Sequence, residues 1–351
     1  MKRYSRSGRP CRLTLLVFGF FALAPAVLAD VAGEAIEVTV RVRPIEYFRI
    51  GSNNMRFGTL KFAGGLELYG SSRHFGALSG VHVFDDQSRF IGVTDTGFWF
   101  AGTIERDAAR KPTGLSAVAM REMSGAKGES SHSKWETDAE GVTVTDDRVF
   151  VSFERLHRVS EYSLTDGDWP MFVREWQPPV PLHELRNNKG FETIAVSPER
   201  TPLAGALVGI SERSLDPDGN IMAFVRREDG SSFEFSVTRR GAFDVTDGEF
   251  LSDGDLILLE RRFNMQDGVA MRLRRIAANA IGEGVTIDGE ILLEADQLYQ
   301  IDNMEGLAIS TDPDGTPRLT IVSDDNHSIL QRNLLLEFLL VDSVQSRSGS
   351  G

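Results

Sequence analysis

One hairpin recurs five times along this chain, and it leaves few architectures open. In each copy a small or acidic residue opens a short alternating strand, a turn rich in Asp and Gly follows, and a second apolar strand ends in an acid. The copies are "SGVHVFDDQSRFIGVTD" from Ser79, "EGVTVTDDRVFVSFER" from Glu140, "ETIAVSPERTPLAGALVGISER" from Glu192, "DGEFLSDGDLILLERR" from Asp247 and "EGLAISTDPDGTPRLTIVSDDN" from Glu305. Successive starts lie 61, 52, 55 and 58 residues apart. A period in the fifties is too long for a bare hairpin and suits a four-stranded blade with long outer loops. Runs such as "IMAFVRR", "SFEFSVTRR" and "VAMRLRRIAA" alternate and are rich in β-branched or aromatic residues, as outer strands require. Helical periodicity is confined to the short connector "PLHELRNN". The chain therefore reads as all-β, a β-propeller. Its length corresponds to between five and six such units, and the flanking segments "EAIEVTVRVRPI" and "LLLEFLLVDS" both read as strands that would pair into a sixth blade. Such pairing closes the ring and leaves no edge exposed. The expectation is a six-bladed propeller with four-stranded blades, five and seven being the neighbouring counts. A two-sheet sandwich also consists of short strands, but it gives no reason for an acidic hairpin to return at blade spacing.

The repeat also predicts where the acids meet. In a blade the innermost strand runs along the channel and the next returns antiparallel, so the start of the first and the end of the second share one rim. Strand starts contribute Glu140, Glu192, Asp247 and Glu305; strand ends contribute Asp95, Glu154, Glu212, Glu260 and Asp324, with Asp325 and Asn326 adjoining. Carboxylates within a few ångströms of one another raise each other's pKa, so a compensating charge is expected. The recurrent "ER" pairs supply one source, in Arg155, Arg213 and Arg261 with Arg262 beside it. A hard cation bound by oxygens is another, and Ca²⁺ is the expected ion for carboxylates and an amide without cysteine. An acid at a hairpin end also has a plain alternative role, accepting backbone N–H bonds and stiffening the turn.

The amino terminus carries five basic residues and no acid in "MKRYSRSGRPCR", then the apolar run "LTLLVFGFFALAPAVLA" and the small residues of Val27-Leu28-Ala29. This is the order of a secretory signal, cut before Asp30, and the run is shorter than the ~20 apolar residues of a spanning helix. The expected organisation is a signal peptide over 1–29, one propeller domain over 30–344 and a disordered polar tail over 345–351, with export to the periplasm or beyond. Cys11, the single cysteine, falls in the signal, so the mature chain has no disulfide and no thiolate. Cleavage leaves 33 basic against 51 acidic residues, a net charge of −18. A surface that negative repels nucleic acid and anionic lipid. The expected partner is a small anionic substrate or ligand, with no stable membrane insertion and a monomeric state.

The segments "DAEGVTV…VFVSFERLHR", "NKGFETIAVSP", "DLILLERRF" and "DNMEGLAIS…TIVSDDN" resemble the phytase-like family of exported bacterial proteins, the "esterase-like activity of phytase" family, from about Leu66 to Leu340. The resemblance implies a propeller outside the cytoplasm, a hydrolase, and a distant relation to calcium-dependent propeller phytases that hold phosphate over calcium ions in an acidic channel. Glu140, Glu192, Glu305, Asp324, Glu154-Arg155, Glu260-Arg261 and Asn326 match the family's recurring positions. The first repeat departs from the pattern by opening on Ser79. The chain also lacks a dense lysine array like that of propeller phytases, so the resemblance does not by itself imply phytate hydrolysis.

Other chemistry is thinly represented. Six histidines occur (His74, His82, His132, His157, His183 and His327), and none are paired at the i, i+4 spacing of a helical zinc site. His157, in "ERLHR", is placed to act as a general base or phosphate contact, although a loop histidine without a positioned partner has no catalytic role. No G-x-S-x-G elbow is present, and "GAKGES" lacks the context of a phosphate loop. Phe98, Trp99 and Phe100 would either wall a ligand or pack between blades. Three readings follow. The first is a metal-assisted hydrolase of a phosphoester or ester, with Glu140, Arg155, His157, Arg213 and Arg261 as candidate catalytic residues. The second is a non-enzymatic propeller that binds a ligand or partner protein, and the third a calcium-dependent lactonase.

Overall fold

The computed structural model describes residues 33–124, 137–155, 157–165, 167–180 and 190–341. The expected signal sequence and polar tail, the "PLHELRNN" and "GAKGES" segments, and His132 and His183 lie outside them. Among the described residues the strands form five sheets. Blade one contains β5 (Leu78–Val83), β6 (Arg89–Thr94), β7 (Phe98–Arg106) and β8 (Pro112–Glu122), with β1 (Ile36–Glu37) on its outer edge. Blade two contains β9 (Ala139–Thr145), β10 (Arg148–Phe153), β11 (Arg158–Ser163) and β12 (Met171–Trp176). Blade three runs β13 (Phe191–Val196), β14 (Leu207–Leu215), β15 (Ile221–Arg226) and β16 (Ser232–Val237), then a short parallel β20 (Thr286–Ile287). Blade four runs β17 (Asp244–Phe250), β18 (Leu256–Asn264), β19 (Gly268–Ile276) and β21 (Glu290–Ala295).

The last blade settles the count at five, not six. Its first three strands, β22 (Asn303–Thr311), β23 (Pro317–Asp324) and β24 (Asn333–Leu340), come from the end of the chain. They continue into β4 (Leu60–Gly70) and β2 (Val40–Ile45), with β3 (Arg56–Phe57) beside β4. The register runs Leu335↔Leu66 and then Leu66↔Pro44. The two terminal segments thus join one sheet, but on either side of β4 and not with each other, and they complete the blade begun by the fifth hairpin instead of building another. Dividing chain length by the repeat period overcounts because blades one, three and five carry strands beyond four. The inner strands adjoin in the cycle β5, β9, β13, β17, β22 and back to β5, which closes the ring.

The inner strands of each blade are buried on both faces, and this explains their near-continuous apolar runs. In "LILLERR", Leu256 and Leu258 face the core shared with blade three, while Ile257 and Leu259 face the core shared with blade five. The other interfaces have cores of their own. Phe90, Phe100 and Val322 pack between blades five and one, Trp99 and Tyr162 between one and two, and Phe150 and Phe224 between two and three. Phe98, Trp99 and Phe100 are all buried in these cores, so of the two roles expected for them they take inter-blade packing. The inner strands meet closely. A Cβ at Gly80 would lie 2.7 Å from the Glu140 carbonyl oxygen, one at Gly306 would lie 2.9 Å from that of Ser79, and one at Gly141 would collide with that of Glu192. The glycine of the repeated acid-glycine pair therefore admits the next blade. Among the described residues no helix is long and apolar enough to cross a membrane.

Candidate functional site

The acid of that pair is aimed by a bulge. Every inner strand breaks register near its start, with Leu78 and Gly80, Phe191 and Thr193, Val245 and Asp247, and Met304 and Gly306 opposing consecutive partner residues. In blade two the break leaves Glu140 and Gly141 opposite Ser152. The extra residues are Ser79, Glu140, Glu192, Thr246 and Glu305. A bulge bends the strand and re-aims the inserted side chain, and here it does so at one end of the ring in all five blades. A second set sits beside it at the ends of the returning strands. Asp95, Glu154 and Glu212 donate their N–H groups to the carbonyls of Ala77, Asp138 and Gly190, while Arg261 pairs with Asp244 and Asp324 with Asn303.

Blade four is one residue out of step with the sequence alignment. Its Asp247-Gly248 imitates the Glu-Gly of blades two and five, yet the bulge falls on Thr246. Because side chains alternate, a shift of one residue sends the paired acids to the opposite face. Asp247 accepts N–H bonds of 2.7 Å from Gly248 and from Leu307 of β22, tying blade four to blade five. Glu260 is fully buried against Arg274, with Arg272 at 3.6 Å. Neither acid belongs to the rim, contrary to expectation. Arg261 takes the position that a carboxylate fills in the other blades. Asp325 also turns aside, accepting from the Ala77 N–H at 3.1 Å and the Asn333 amide at 2.8 Å. Asn326 is an exposed loop residue whose N–H caps Asp324 at 2.6 Å. Asp325, Asn326 and the exposed His327 are thus structural turn residues in this arrangement.

Blades two and three concentrate the charge. One carboxylate oxygen from each of Asp138, Glu140 and Glu154 lies within 4.8 Å of the others, and the same holds for Glu154, Glu192 and Glu212. Glu154 belongs to both groups. Burial, then the charges of Glu154, Asp138, Glu305 and Asp95, push the Glu140 carboxyl well above its ordinary range. Glu192 moves the same way through burial and then Glu140, Glu212 and Glu154. Burial raises Glu305 to about 8 against the pull of Arg261, and raises Asp324 to about 7. Arg261 donates to Asn303 Oδ1 at 2.5 Å and lies 3.3 Å from Glu305 and 3.7 Å from Glu212. Burial weakens its hold on its proton, but Glu305, Glu212 and Glu192 more than offset this. Arg155 bonds Asp138 at 2.5 Å, whereas Arg213 is committed to Asp244 at 2.6 Å across the interface of blades three and four.

His157 stands at the edge of this cluster. Its backbone is left-handed, with φ of 42°, and its N–H donates to the Glu154 carbonyl. The residue is 7% exposed, and neither ring nitrogen has a partner among the described residues. Burial lowers its pKa, leaving a neutral imidazole. A Cβ at Gly190 would lie 3.0 Å from its Nδ1, so Gly190 makes room for the ring. Asp138 and Asn303 are site residues that the sequence reading did not pick out. Each stands two positions before a bulge glutamate, in "DAE" and "NME", and that shared offset is the signal that identifies them.

The raised carboxyls carry a pH signature. At pH 6 the folded, metal-free protein keeps protons on Glu305 and Asp324 that an unfolded chain, with carboxyl pKa near 4, has lost. Their contribution is therefore whole below about pH 4 and falls as pH rises through 7 and 8. Thermal melts of chelated protein should show a midpoint that drops between pH 5 and pH 8.5. A flat or rising midpoint would contradict the raised values.

Fold and site together define a five-bladed propeller with a carboxylate-rich mouth. A family model described as "Phytase-like: Esterase-like activity of phytase" matches residues 73–327, and the chain belongs to that family. No curated protein matches the chain. Among solved structures it is similar to the glutaminyl cyclase of Myxococcus xanthus, at 13% identity over 76% of this chain and 92% of that one, with a TM-score of 0.38. A protein from Lactobacillus plantarum aligns at 13% identity over 74% of both chains, with a TM-score of 0.36. Superpositions this loose place no residue of the site.

Proposed function

We propose that this chain is an exported hydrolase, periplasmic or secreted, that acts as a monomer on a small phosphoester or ester bearing negative charge, with Ca²⁺ at the channel mouth. The observation that carries the reading is the pair of carboxylate groups sharing Glu154. Oxygens bound to one calcium ion at about 2.3–2.6 Å lie within about 5 Å of each other, and these carboxylates fit that spacing. The donors are oxygens throughout, with no thiolate or imidazole in either group, which suits a hard cation better than zinc. Glu154 with Asp138 and Glu140, or with Glu192 and Glu212, would hold the ion, and the mutual repulsion of these carboxylates supplies the driving force. A bound calcium ion would neutralise that repulsion and polarise the substrate oxygen.

The chain's own groups do the rest. Arg261, anchored by Asn303 and Glu305, receives the anionic group of the substrate on its remaining donors. The neutral His157 imidazole takes a proton from the attacking water as the new bond to phosphorus or carbonyl carbon forms. It returns that proton to the leaving oxygen as the ester bond breaks. Arg155 holds Asp138 in place, and Arg213 is a blade-to-blade contact with no part in the reaction. The experiment is a panel of aryl phosphates, aryl esters and lactones assayed with calcium and with chelator, on the wild type and on Arg261→Gln. Calcium-dependent turnover that falls on the order of a hundredfold in the variant is expected for lost transition-state charge pairing. Absence of turnover with calcium bound would instead leave a ligand-binding propeller.

A further inference from the structure

The ends of the same strands away from the carboxylates carry a second, oppositely charged feature. Arg148 opens β10, whose other end leads to Glu154, so about six residues at ~3.3 Å each, or roughly 20 Å, separate the two. There a groove of about 300 Å³ lies between blades two and three. Among the described residues four arginines line it, Arg148, Arg174, Arg226 and Arg227, against two glutamates, on a chain that is acidic overall. Both glutamates are taken: Arg174 bonds the buried Glu161 at 2.7 Å, and Arg148 bonds Glu228 at 2.7 Å. Arg226 pairs with no carboxylate among the described residues. Its guanidinium lies 4.6 Å over the Trp176 ring, which fixes the plane of its donors. Phe150, Val196 and Leu207 add apolar lining.

The geometry points to a second binding site in this groove, for a small organic oxyanion, a carboxylate or phosphate carried on a short apolar or aromatic body. The unpaired, stacked guanidinium supplies a planar donor fork for the anion. The apolar lining takes the body, and the volume is at the small end of the range for ligand sites. A bare inorganic anion would leave the apolar lining unused, and a polyanion would meet Glu228 and the acidic surface around it. This site is independent of the rim and of the reaction proposed there.

Calorimetric titration of the whole protein in chelator, so that no rim cation contributes, tests the proposal with phenyl phosphate, benzoate and inorganic phosphate as probes. Saturable one-to-one binding is expected for a phenyl-bearing anion, tighter than for inorganic phosphate. Which of the two phenyl anions binds better identifies the headgroup. Arg226→Gln should weaken binding about tenfold or more, as loss of a charge-assisted bond does, and Arg226→Lys should fall between. Arg56→Gln, on the exposed strand β3, should leave the affinity unchanged. No saturation by either phenyl anion, an affinity indifferent to Arg226, or a loss in Arg56→Gln equal to that in Arg226→Gln would each overturn the assignment. Should Arg226→Gln fail to fold, Trp176→Leu tests the same stacked donor.

Discussion

Glu337→Ala should destabilise the propeller by about 3–5 kcal/mol, as removal of one partner from a buried ion network does. Glu337 on β24 has no exposed surface and accepts from Arg106 of blade one at 2.5 and 2.7 Å and from Arg318 at 2.7 Å. Arg318 in turn holds Asp312 at 2.7 and 2.8 Å, and Arg110 of blade one reaches Asp312 at 3.4 Å. The network bridges the interface where the end of the chain meets its first blade, so the alanine variant leaves two buried guanidinium groups short of charge at the closure of the ring. A fall in melting midpoint of roughly 5–15 °C is the expected reading by circular dichroism. The exposed Lys111–Glu46 pair gives the contrast, since Glu46→Gln should cost under about 1 kcal/mol. Equal losses in the two variants would mean that the buried network does not secure the closure.

The second large effect belongs to Glu154. It is the carboxylate shared by both rim groups, so Glu154→Gln should weaken calcium binding on the order of a hundredfold or more, beyond the loss typical of an outer-shell partner. The same substitution removes a charge that helps raise Glu140 and Glu192. The metal-free variant should therefore melt higher than metal-free wild type near pH 8. A carboxylate that only stiffened its hairpin would give the opposite stability change and no change in affinity. Asp314→Asn, at an exposed turn, should alter neither quantity.

Much of this arrangement was legible in the sequence because one local rule repeats. The glutamate-glycine pair encodes both a side chain aimed by a bulge and a close approach of blades, and at Glu140 and Glu305 the two readings coincide. Glu192 keeps the bulge with Thr193 in place of glycine. The rule misleads in blade four, where Asp247-Gly248 copies the pair but Thr246 occupies the bulge. Composition cannot reveal a one-residue register shift, yet the alternation of strand side chains turns it into a change of face, which removes Asp247 and Glu260 from the rim and places Arg261 in it. Blade number was obscured for a different reason. The flanking strands were recognised as strands, but which sheet they join depends on β4, a pairing between residues far apart in the chain. The buried network around Glu337 and the arginine groove depend on such long-range pairings too, and no local motif announces either.

The most direct measurement is an anomalous-scattering map from a crystal grown in calcium and back-soaked in manganese, which replaces calcium at oxygen sites. A peak is expected, bounded by Glu154 and by carboxylates of at least one of its two groups, Asp138 with Glu140 or Glu192 with Glu212. A mouth without such a peak, its carboxylates protonated and bonded to one another or drawn onto Arg155 and Arg261, would contradict the claim that this rim is a cation site.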